Sequence, residues 1–546
     1  MASELIESDV LCVGGGPTGL MAAIRAAELG AKVVVADKGN TLHSGSGTAG
    51  NDHFMCYNPE FHGTDRAAIR ETILKAPQAF SDPACVDIWL DKSFEMVKLW
   101  ESWGIPMRHK GEWNFGGHSF PGEPRIYMHY SGGNQKHVLT EQALKKGVKI
   151  INRVTIFELL KDKEQVTGAI GYDTWNDRII KFTAKSVLMG TGRVSRLYPG
   201  VTPALMMNTP FCPYCTGDGR AMGLRAGANF VSAEFTVRWA GPKYFARSGK
   251  GTWIGVLRDP SGKPVGPFLT KPNKETGDII SDIYPALFED YKVAARGPVY
   301  MDCRGAARED IEYMYHWLEN EGNLGLLSHI KKQGIDPLKN IIEFGTYEFG
   351  MKGGLWSSPA SESNIEGLFV SGDEYGVMSG MAPAAIWGWI AGENMAKRAK
   401  KVEMPSIEPL QGQIEKETRK VSKIINRKSG AGWQEVNLAI QSTMMDYAGA
   451  LRSDALLEQG LLNLGRIRQM SDESLMAGNG HEVGRCLEVF NLIDVGEVLM
   501  TAARERKETR AAHKRADYPF TNPLLNKMLF VRKANGKYSF EWKGRV

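Results

Sequence analysis

The chain has 546 residues, 42% of them hydrophobic, which is enough to bury a large core in roughly two to four structural units and excludes a disordered or fibrous protein. Its 67 Lys and Arg exceed its 62 Asp and Glu by only five, without a basic tail, which argues against nucleic-acid binding. The acidic N-terminus lacks the features of an export signal, and no apolar run approaches the roughly 18 to 20 residues that cross a bilayer. We therefore expect a cytoplasmic chain, not transmembrane, that is at most docked on a membrane through a partner.

The first predicted elements are a buried strand, a glycine turn and a helix. The strand residues 10–13 run directly into the sequence GGGPTG at 14–19, and a helical pattern follows to residue 30. The first glycine of this GxGxxG motif allows a tight turn, the second lets the backbone approach a pyrophosphate, and the third lets the helix pack on the strand. The phosphates would lie at the positive helix N-terminus. The residues predicted to hold them are Gly14, Gly16, Pro17, Thr18 and Gly19.

A second predicted strand, residues 31–36, ends in Asp37 and Lys38, about twenty residues beyond the glycines. A carboxylate at this spacing accepts hydrogen bonds from the ribose hydroxyls of an adenosine. The series of strand, glycine turn, helix, strand and acid predicts a dinucleotide site. It leaves FAD and NAD as alternatives.

The seven cysteines do not form a disulfide framework in so long a chain. Only Cys212 and Cys215 have motif spacing, in the sequence PFCPYCTGDG. A zinc or iron–sulfur site needs about four ligands, and the sequence has no second pair, so no metal site is predicted. An incidental buried pair is the favoured interpretation, and a redox or metal role is the alternative.

Further segments in chain order narrow the choice of cofactor. They are HSGSGTAG at 43–50, a predicted hairpin and glycine turn at 166–192, TGDG at 216–219, IEGLFVSGDE at 365–374 and RKETRAAHKRADYP at 506–519. With the glycine motif, these segments resemble the fumarate reductase and succinate dehydrogenase flavoprotein superfamily, which carries similar TGDG, GLFAAGE and ESRGAHYREDYP sequences. The likeness extends over most of the chain, and it implies FAD as the cofactor.

The resemblance also implies the domain organisation. The expected fold class is α/β, with a Rossmann-like FAD-binding domain of the GR2 type, an inserted α+β capping domain and a C-terminal helical domain. The predicted boundaries are 1–232 and 353–400 for the FAD-binding domain, 233–352 for the capping domain and 401–546 for the helical domain.

In the family, small residues lie against the flavin and an acidic residue binds its ribityl chain. Gly45 stands where the dehydrogenases carry a histidine joined covalently to the flavin, so non-covalent FAD is expected, with His43 as the alternative attachment point. Beside Asp37 and Lys38, the resemblance assigns FAD contacts to Ser44, Gly45, Thr48, Ala49, Gly50, Val154, Thr191, Gly192, Asp218, Gly372 and Asp373.

The substrate segments depart from the family pattern. Fumarate reductases carry a His-Gly-Ala-Asn-Arg-Leu stretch where this chain reads GVMSGMAPA at 376–384, and their HYTMGG becomes FGMKGG at 349–354. Within the superfamily the chain most resembles the α subunits of adenylylsulfate reductases, but their substrate-facing histidine falls near Met378. A substrate other than fumarate, succinate, sulfite or adenylylsulfate is therefore expected.

Candidate catalytic groups would serve a small anionic or carbonyl substrate. Cations of the insert could bind its acid group, two histidines could transfer protons, and one arginine matches a family residue near the cleft. Surface charge and structural histidines are the alternative interpretation. These candidates are Arg238, Lys243, Arg247, His129, His513 and Arg510.

The electrons must also leave the flavin. The sequence shows no second nicotinamide motif and no cysteine set for a cluster, so the resemblance implies that the partner is an iron–sulfur electron-transfer subunit. The alternative is a non-catalytic flavin module that relays electrons within a larger redox complex.

Overall fold

The computed structural model describes residues 2–48, 53–75, 82–117, 124–200, 205–245, 251–265, 273–274, 297–376 and 378–544. The strands are β1 Ser3–Val13, β2 Val33–Asp37, β3 His53–Met55, β4 Tyr127–His129, β5 Lys149–Asn152, β6 Val154–Asp162, β7 Gln165–Asp173, β8 Arg178–Met189, β9 Phe230–Val231, β10 Thr236–Pro242, β11 Val256–Arg258, β12 Val299–Asp302, β13 Ile342–Met351, β14 Gly354–Leu355, β15 Leu368–Val370, β16 Met528–Ala534 and β17 Lys537–Lys543. The helices are α1 Pro17–Glu28, α2 Pro59–His62, α3 Ala67–Lys75, α4 Pro83–Ser102, α5 Gln135–Lys145, α6 Asp218–Ala226, α7 Arg308–Asn320, α8 Leu324–Gln333, α9 Met381–Ala399, α10 Gln411–Asn426, α11 Trp433–Ala448, α12 Asp454–Ser474 and α13 Gly480–Glu505.

A seven-stranded sheet forms the centre of the molecule, in the order β5-β2-β1-β8-β7-β6, with β15 also paired to β8. The strands β5, β2, β1, β8 and β15 run parallel, whereas β6, β7 and β8 form an antiparallel meander. All five residues of β2 are buried, as expected for a parallel strand covered on both faces. The carboxyl ends of β1 and β2 therefore meet at one edge, where ligands bind in such sheets.

Glycines let two helices approach each other closely over this sheet. A Cβ at Gly388 of α9 would lie 2.5 Å from the carbonyl oxygen of Thr18, and one at Gly392 would lie 2.4 Å from that of Ala22. Both partner atoms belong to α1, so the two backbones are in contact. This packing fixes α1, whose N-terminus carries the glycine turn.

The predicted insert, residues 233–352, contains a separate antiparallel sheet in the order β10-β13-β12-β11. An apolar cluster that includes Trp253, Met301, Ile311 and Phe344 fills the space between this sheet and the helices α7 and α8. The insert thus has its own core, next to the continuous core of the larger domain.

The C-terminal part is helical from α10 to α13, and α13 is buried along most of its length. The last described elements form the hairpin β16–β17, which pairs with β9 through Phe530 and Val231. Across the described ranges, we find no helix that is both long and apolar enough to cross a membrane.

Candidate active site

A cavity of about 530 Å³ lies at the carboxyl ends of β1 and β2. Its size is within the usual range for cofactor sites. Segments from many parts of the chain line it, among them the glycine turn, residues 36–47, the start of β6, the end of β8, residues 212–215, the start of α9 and one side of α13. The predicted cofactor residues that line it are Gly14, Gly16, Pro17, Thr18, Asp37, Lys38, Ser44, Gly45, Val154, Thr191, Gly192, Asp218 and Asp373.

The three glycines of the motif have different environments. Gly14 has a φ of +100°, and a Cβ there would lie 2.5 Å from the carbonyl oxygen of Gly190. A Cβ at Gly19 would lie 1.9 Å from the carbonyl oxygen of Gly14, so α1 presses directly on the turn. Gly16 has no atom within 4 Å of its Cβ position and lines the cavity. It caps α1 without a side-chain hydrogen bond, which leaves N–H groups at a positive helix end for a phosphate.

The carboxylate of Asp37 is held in place by its own loop. One oxygen accepts the backbone N–H of Gly15 at 2.7 Å, and the other accepts the N–H of Gly39 at 2.7 Å and the hydroxyl of Ser44 at 2.8 Å. Each carboxylate oxygen has about two acceptor positions, so Asp37 keeps capacity for a ribose hydroxyl at the cavity wall.

Lys38 crosses the cavity wall to reach the C-terminal domain. Its Nζ donates to Asp218 at 2.6 Å, to Glu488 at 2.8 Å and to the hydroxyl of Thr216 at 3.1 Å. Burial alone would lower the pKa of Lys38, but the carboxylates of Asp218 and Glu488 outweigh burial and raise it. Lys38 is therefore a permanent cation that joins the TGDG turn to α13.

Glu488 is a site residue that the sequence analysis missed. It is 1% exposed, lines the cavity and binds the side chains of Lys38, Arg196 and Arg485. Burial alone would raise the pKa of Glu488, yet the three cations lower it to about 2. A glutamate within an otherwise buried helix was a usable signal, because such a charge must be paired.

Asp373 lines the cavity next to the residues with which α9 begins. Its carboxylate accepts Arg193 Nε at 2.9 Å and the backbone N–H of Gly380 at 2.9 Å. Burial alone would raise the pKa of Asp373, but Arg193 and the N–H of Gly380 lower it. Gly372 does not line the cavity; its φ is +65°, and a Cβ there would lie 2.2 Å from Thr18 Oγ1, so it sets the close approach of this turn to α1.

The small-residue loop after β2 is shaped by Thr48. Its hydroxyl lies 2.8 Å, 2.9 Å and 3.0 Å from the carbonyl oxygens of His43, Ser44 and Gly45. Gly45 has a φ of +79° and no atom within 4 Å of its Cβ position, so its open side faces the cavity that it lines. The predicted contacts Ala49 and Gly50 lie outside the described residues.

Two of the predicted catalytic residues, Arg510 and His513, are neighbours whose backbones exchange two hydrogen bonds. His129 is buried at the end of β4, with its ring 4.2 Å from that of Trp317, whereas Lys243 is half exposed and binds Glu343 at 2.8 Å. Arg510 binds Glu508 at 2.8 Å in the C-terminal segment. Neither these three nor His513 lines the cavity. Arg238 lies in β10, where the structure describes its backbone alone, and Arg247 lies outside the described residues.

His513 is enclosed by arginines. It is 0% exposed, its Nε2 donates to the carbonyl oxygen of Arg506 at 3.0 Å, and its Nδ1 accepts Arg452 Nη1 at 3.1 Å. Burial, then the charge of Arg452, lowers the pKa of His513 well below 6.5. The imidazole is therefore neutral, and its position serves the packing of Arg452 and Arg506.

The enclosed His513 predicts a pH dependence of stability. Because the pKa of His513 is lowered in the folded state, only the unfolded chain takes up this proton below pH 6.5. As the pH decreases, the free energy of unfolding therefore falls by up to about 1.4 kcal/mol per pH unit. His513→Asn should be less stable at pH 7.5 and lose that slope between pH 6.5 and 5.5. Urea unfolding across this range, with the exposed His329→Asn as the control, checks it. An unchanged slope in His513→Asn would assign the pH dependence elsewhere.

Sequence comparison identifies the relatives of this fold and cavity. The family described as "FAD binding domain" matches residues 9–385, and the family described as "Fumarate reductase flavoprotein C-term" matches residues 437–542. The chain belongs to the FAD-binding flavoproteins. A fumarate reductase (CoM/CoB) subunit of Methanothermobacter marburgensis is 24% identical over 98% of both chains. The fumarate reductase flavoprotein subunit of Escherichia coli is 21% identical over 99% of this chain and 94% of its own.

Solved structures agree on the fold. The adenylylsulfate reductase of Archaeoglobus fulgidus matches with a TM-score of 0.84 at 20% identity, covering 100% of this chain and 96% of its own. E. coli quinol fumarate reductase matches with a TM-score of 0.83 at 19% identity, covering 100% and 97%. The predicted family, fold class and FAD cofactor are confirmed, and the protein is an FAD-dependent oxidoreductase related to the fumarate reductase flavoproteins.

The residues around the cavity fit FAD. The turn at Gly16 leaves room and helix N–H groups for the pyrophosphate, and Asp37 offers a carboxylate for the ribose. Asp373 and Gly45 also line the cavity, and the family resemblance assigns them to the ribityl chain and the flavin ring. Bound FAD would supply a centre that accepts two electrons from a substrate and passes them on. The chain itself supplies orientation, charge and exclusion of water.

Proposed function

We propose that this flavoprotein passes electrons between a small anionic substrate above the flavin and an iron–sulfur subunit. The observation that carries the proposal is the docking of the insert on the FAD-binding domain. Trp317 of α7 packs on the ring of His129, and the hydroxyl of Tyr313 accepts the backbone N–H of Gly117 at 2.8 Å. A flavin that only relays electrons needs no second domain docked on the domain that holds it.

Arg238 is our candidate for binding the acid group of the substrate. In the β10–β13 pair, Arg238 stands opposite Glu348, and the register shifts beside it so that Val237 stands opposite Gly350. A Cβ at Gly350 would lie 2.0 Å from the carbonyl oxygen of Val194, two residues beyond the cavity residue Gly192. The backbone therefore supports a place for Arg238 close to the flavin, where a guanidinium binds a carboxylate or oxyanion in bidentate fashion.

The substrate is expected to differ from those of the named relatives. The segments 349–354 and 376–384 lack the histidine and arginine of the fumarate pattern, and Met378 is buried where a substrate-facing histidine is expected in adenylylsulfate reductases. His129 is our candidate proton-transfer group, because it lies beside the docked insert. A positioned imidazole transfers a proton only within hydrogen-bond reach of the substrate, so the substrate would have to bind next to His129.

A reoxidation screen tests the proposal. The FAD-loaded chain is reduced anaerobically with one equivalent of dithionite, and the return of flavin absorbance is followed with unsaturated carboxylic acids and sulfur oxyanions. We expect rapid reoxidation by at least one anionic acceptor and none by fumarate. Reoxidation only by one-electron acceptors, with every acid silent, would favour the relay function instead.

Replacing Arg238 gives the matching prediction for the substrate site. Arg238→Gln should slow reoxidation by the active acid roughly 100-fold, the loss expected for a charged hydrogen bond, while FAD content is unchanged. Lys243→Gln is the matched control, because Lys243 is a half-exposed cation of the same strand region bound to Glu343. Equal rates for both variants would remove Arg238 from the substrate site.

The partner is tested separately by anaerobic affinity purification of the tagged chain from its native cells. We expect an iron–sulfur protein to co-purify, recognised by acid-labile sulfide and broad absorbance beside the flavin bands. A chain that purifies with flavin alone at every salt concentration would contradict this part of the proposal.

A further inference from the structure

The only cysteines with motif spacing lie in the wall of the FAD cavity. Cys212 and Cys215 both line it, and the backbone N–H of Cys215 donates to the carbonyl oxygen of Cys212 at 3.1 Å, which closes a turn. This turn places both side chains in the same part of the cavity wall. The pair is thus close together and lines the space that FAD would occupy.

The turn is held against two segments assigned to the flavin. Ser46 Oγ lies 3.4 Å from Cys212 N and 3.9 Å from Cys215 Sγ. On the other side, a Cβ at Gly192 would lie 3.5 Å from Cys215 Sγ. Cys215 Sγ therefore lies between Ser46 and Gly192, which both line the cavity.

The two thiols are chemically unequal. The hydrogen bond from Cys215, N–H groups of the backbone and the charge of Lys38 lower the pKa of Cys212 to about 6, although burial opposes this. The hydrogen bond to Cys212, with burial, raises the pKa of Cys215. One thiolate beside one protonated thiol is the arrangement of reactive CxxC motifs. By contrast, burial raises the pKa of the thiols of Cys12, Cys56, Cys85, Cys303 and Cys486.

We propose that Cys212 and Cys215 form a dithiol–disulfide centre that exchanges two electrons with the FAD. In the oxidative direction the Cys212 thiolate and the Cys215 thiol form the S–S bond, the single remaining thiol proton is released, and two electrons pass to the oxidised flavin; the reverse step breaks the S–S bond and takes that proton up again. A metal role has less support, because no group of three or more His, Cys, Asp or Glu side chains in the described parts of the chain could hold an ion. The proposal uses the confirmed FAD and is independent of the substrate.

Counting electrons tests this centre. The FAD-loaded chain, oxidised with a mild disulfide oxidant and freed of excess, is titrated anaerobically with dithionite. Wild type should consume one more two-electron equivalent per chain than either Cys212→Ser or Cys215→Ser, whereas Cys303→Ala should match wild type. Any co-purifying cluster adds the same count to each protein and leaves this difference unchanged. Equal counts in wild type and both serine variants would overturn the proposal.

A second measurement needs no variant. The wild-type chain, with and without FAD, is poised in glutathione buffers, alkylated and digested for mass spectrometry. We expect the fraction of chains with a Cys212–Cys215 disulfide to follow a two-electron redox titration curve. Bound FAD should shift the midpoint potential of that curve. Two alkylated thiols at every poise would overturn the proposal. Flavin absorbance reports FAD binding independently, so a failure of the cofactor is distinguishable from a failure of the thiol centre.

Discussion

Gly16→Ala should deprive the protein of FAD while leaving the folded chain as stable as wild type. The added Cβ at position 16 would meet no protein atom within 4 Å, and the N-cap backbone has an ordinary φ of −73°, so the apoprotein accepts the methyl group. The methyl group would project into the cavity where the pyrophosphate must approach the backbone. We expect FAD affinity to fall by at least about 100-fold, because helix N–H groups lose their contact with the phosphates.

Gly14→Ala is the contrasting variant. Its positive φ and the 2.5 Å approach to Gly190 O are constraints of the protein itself, so it should lose about 3 kcal/mol or more of stability as well as FAD. Gly412→Ala, in α10 and away from the cavity, is the matched control. Its free energy of unfolding and its free energy of FAD binding should each stay within about 1 kcal/mol of wild type. Urea unfolding of the apoproteins and FAD titration measure the two properties separately. Normal FAD affinity in Gly16→Ala would place the phosphates elsewhere.

Glu488→Gln should destabilise the folded chain by about 3 to 5 kcal/mol. The substitution removes the charge that pairs with Lys38, Arg196 and Arg485, and it leaves three cations next to one another in a buried site. The amide keeps the size of the side chain, so the loss reports charge and not a cavity. Glu505→Gln on the same helix is the control, since Glu505 forms no ion pair with described residues.

The same variant has a defined pH signature. The pKa of Glu488 is about 2 in the folded state against 4.5 in the unfolded chain, so its contribution is complete above pH 4.5 and is lost as the pH falls from 4.5 towards 2. Glu488→Gln should therefore differ most from wild type near neutral pH and approach it in acid. A constant difference between pH 7 and pH 3 would show that the ionised carboxylate is not the stabilising species.

Local sequence was sufficient for the first part of the site. The turn at Gly14, the opening at Gly16 and the acid Asp37 lie within about 25 residues, and each is specified by a local rule of backbone conformation or spacing. The structure gathers these residues round one cavity. The family resemblance extended the prediction to Asp218 and Asp373, which lie far apart in the chain.

The features that the sequence analysis missed depend on contacts between residues far apart in the chain. Glu488 reaches the cavity only because α13 packs beside α6, and the hairpin β16–β17 exists because β16 pairs with β9, about 300 residues earlier in the chain. Lys243 stays a predicted substrate cation, and the sequence does not show that it binds Glu343, which is 100 residues away. His513 looked like a proton-transfer group, and only the fold shows that Arg452 and Arg506 enclose it.

The most direct test of the account is the visible spectrum of the purified chain before and after acid precipitation. We predict the two absorbance bands of an oxidised flavin, and about one FAD per chain in the supernatant after acid, because Gly45 offers no side chain for attachment. Flavin retained in the precipitate would mean a covalent link, with His43 at the cavity wall as the first residue to examine. A chain that purifies without flavin and takes up none from solution would contradict the central claim that this cavity holds FAD.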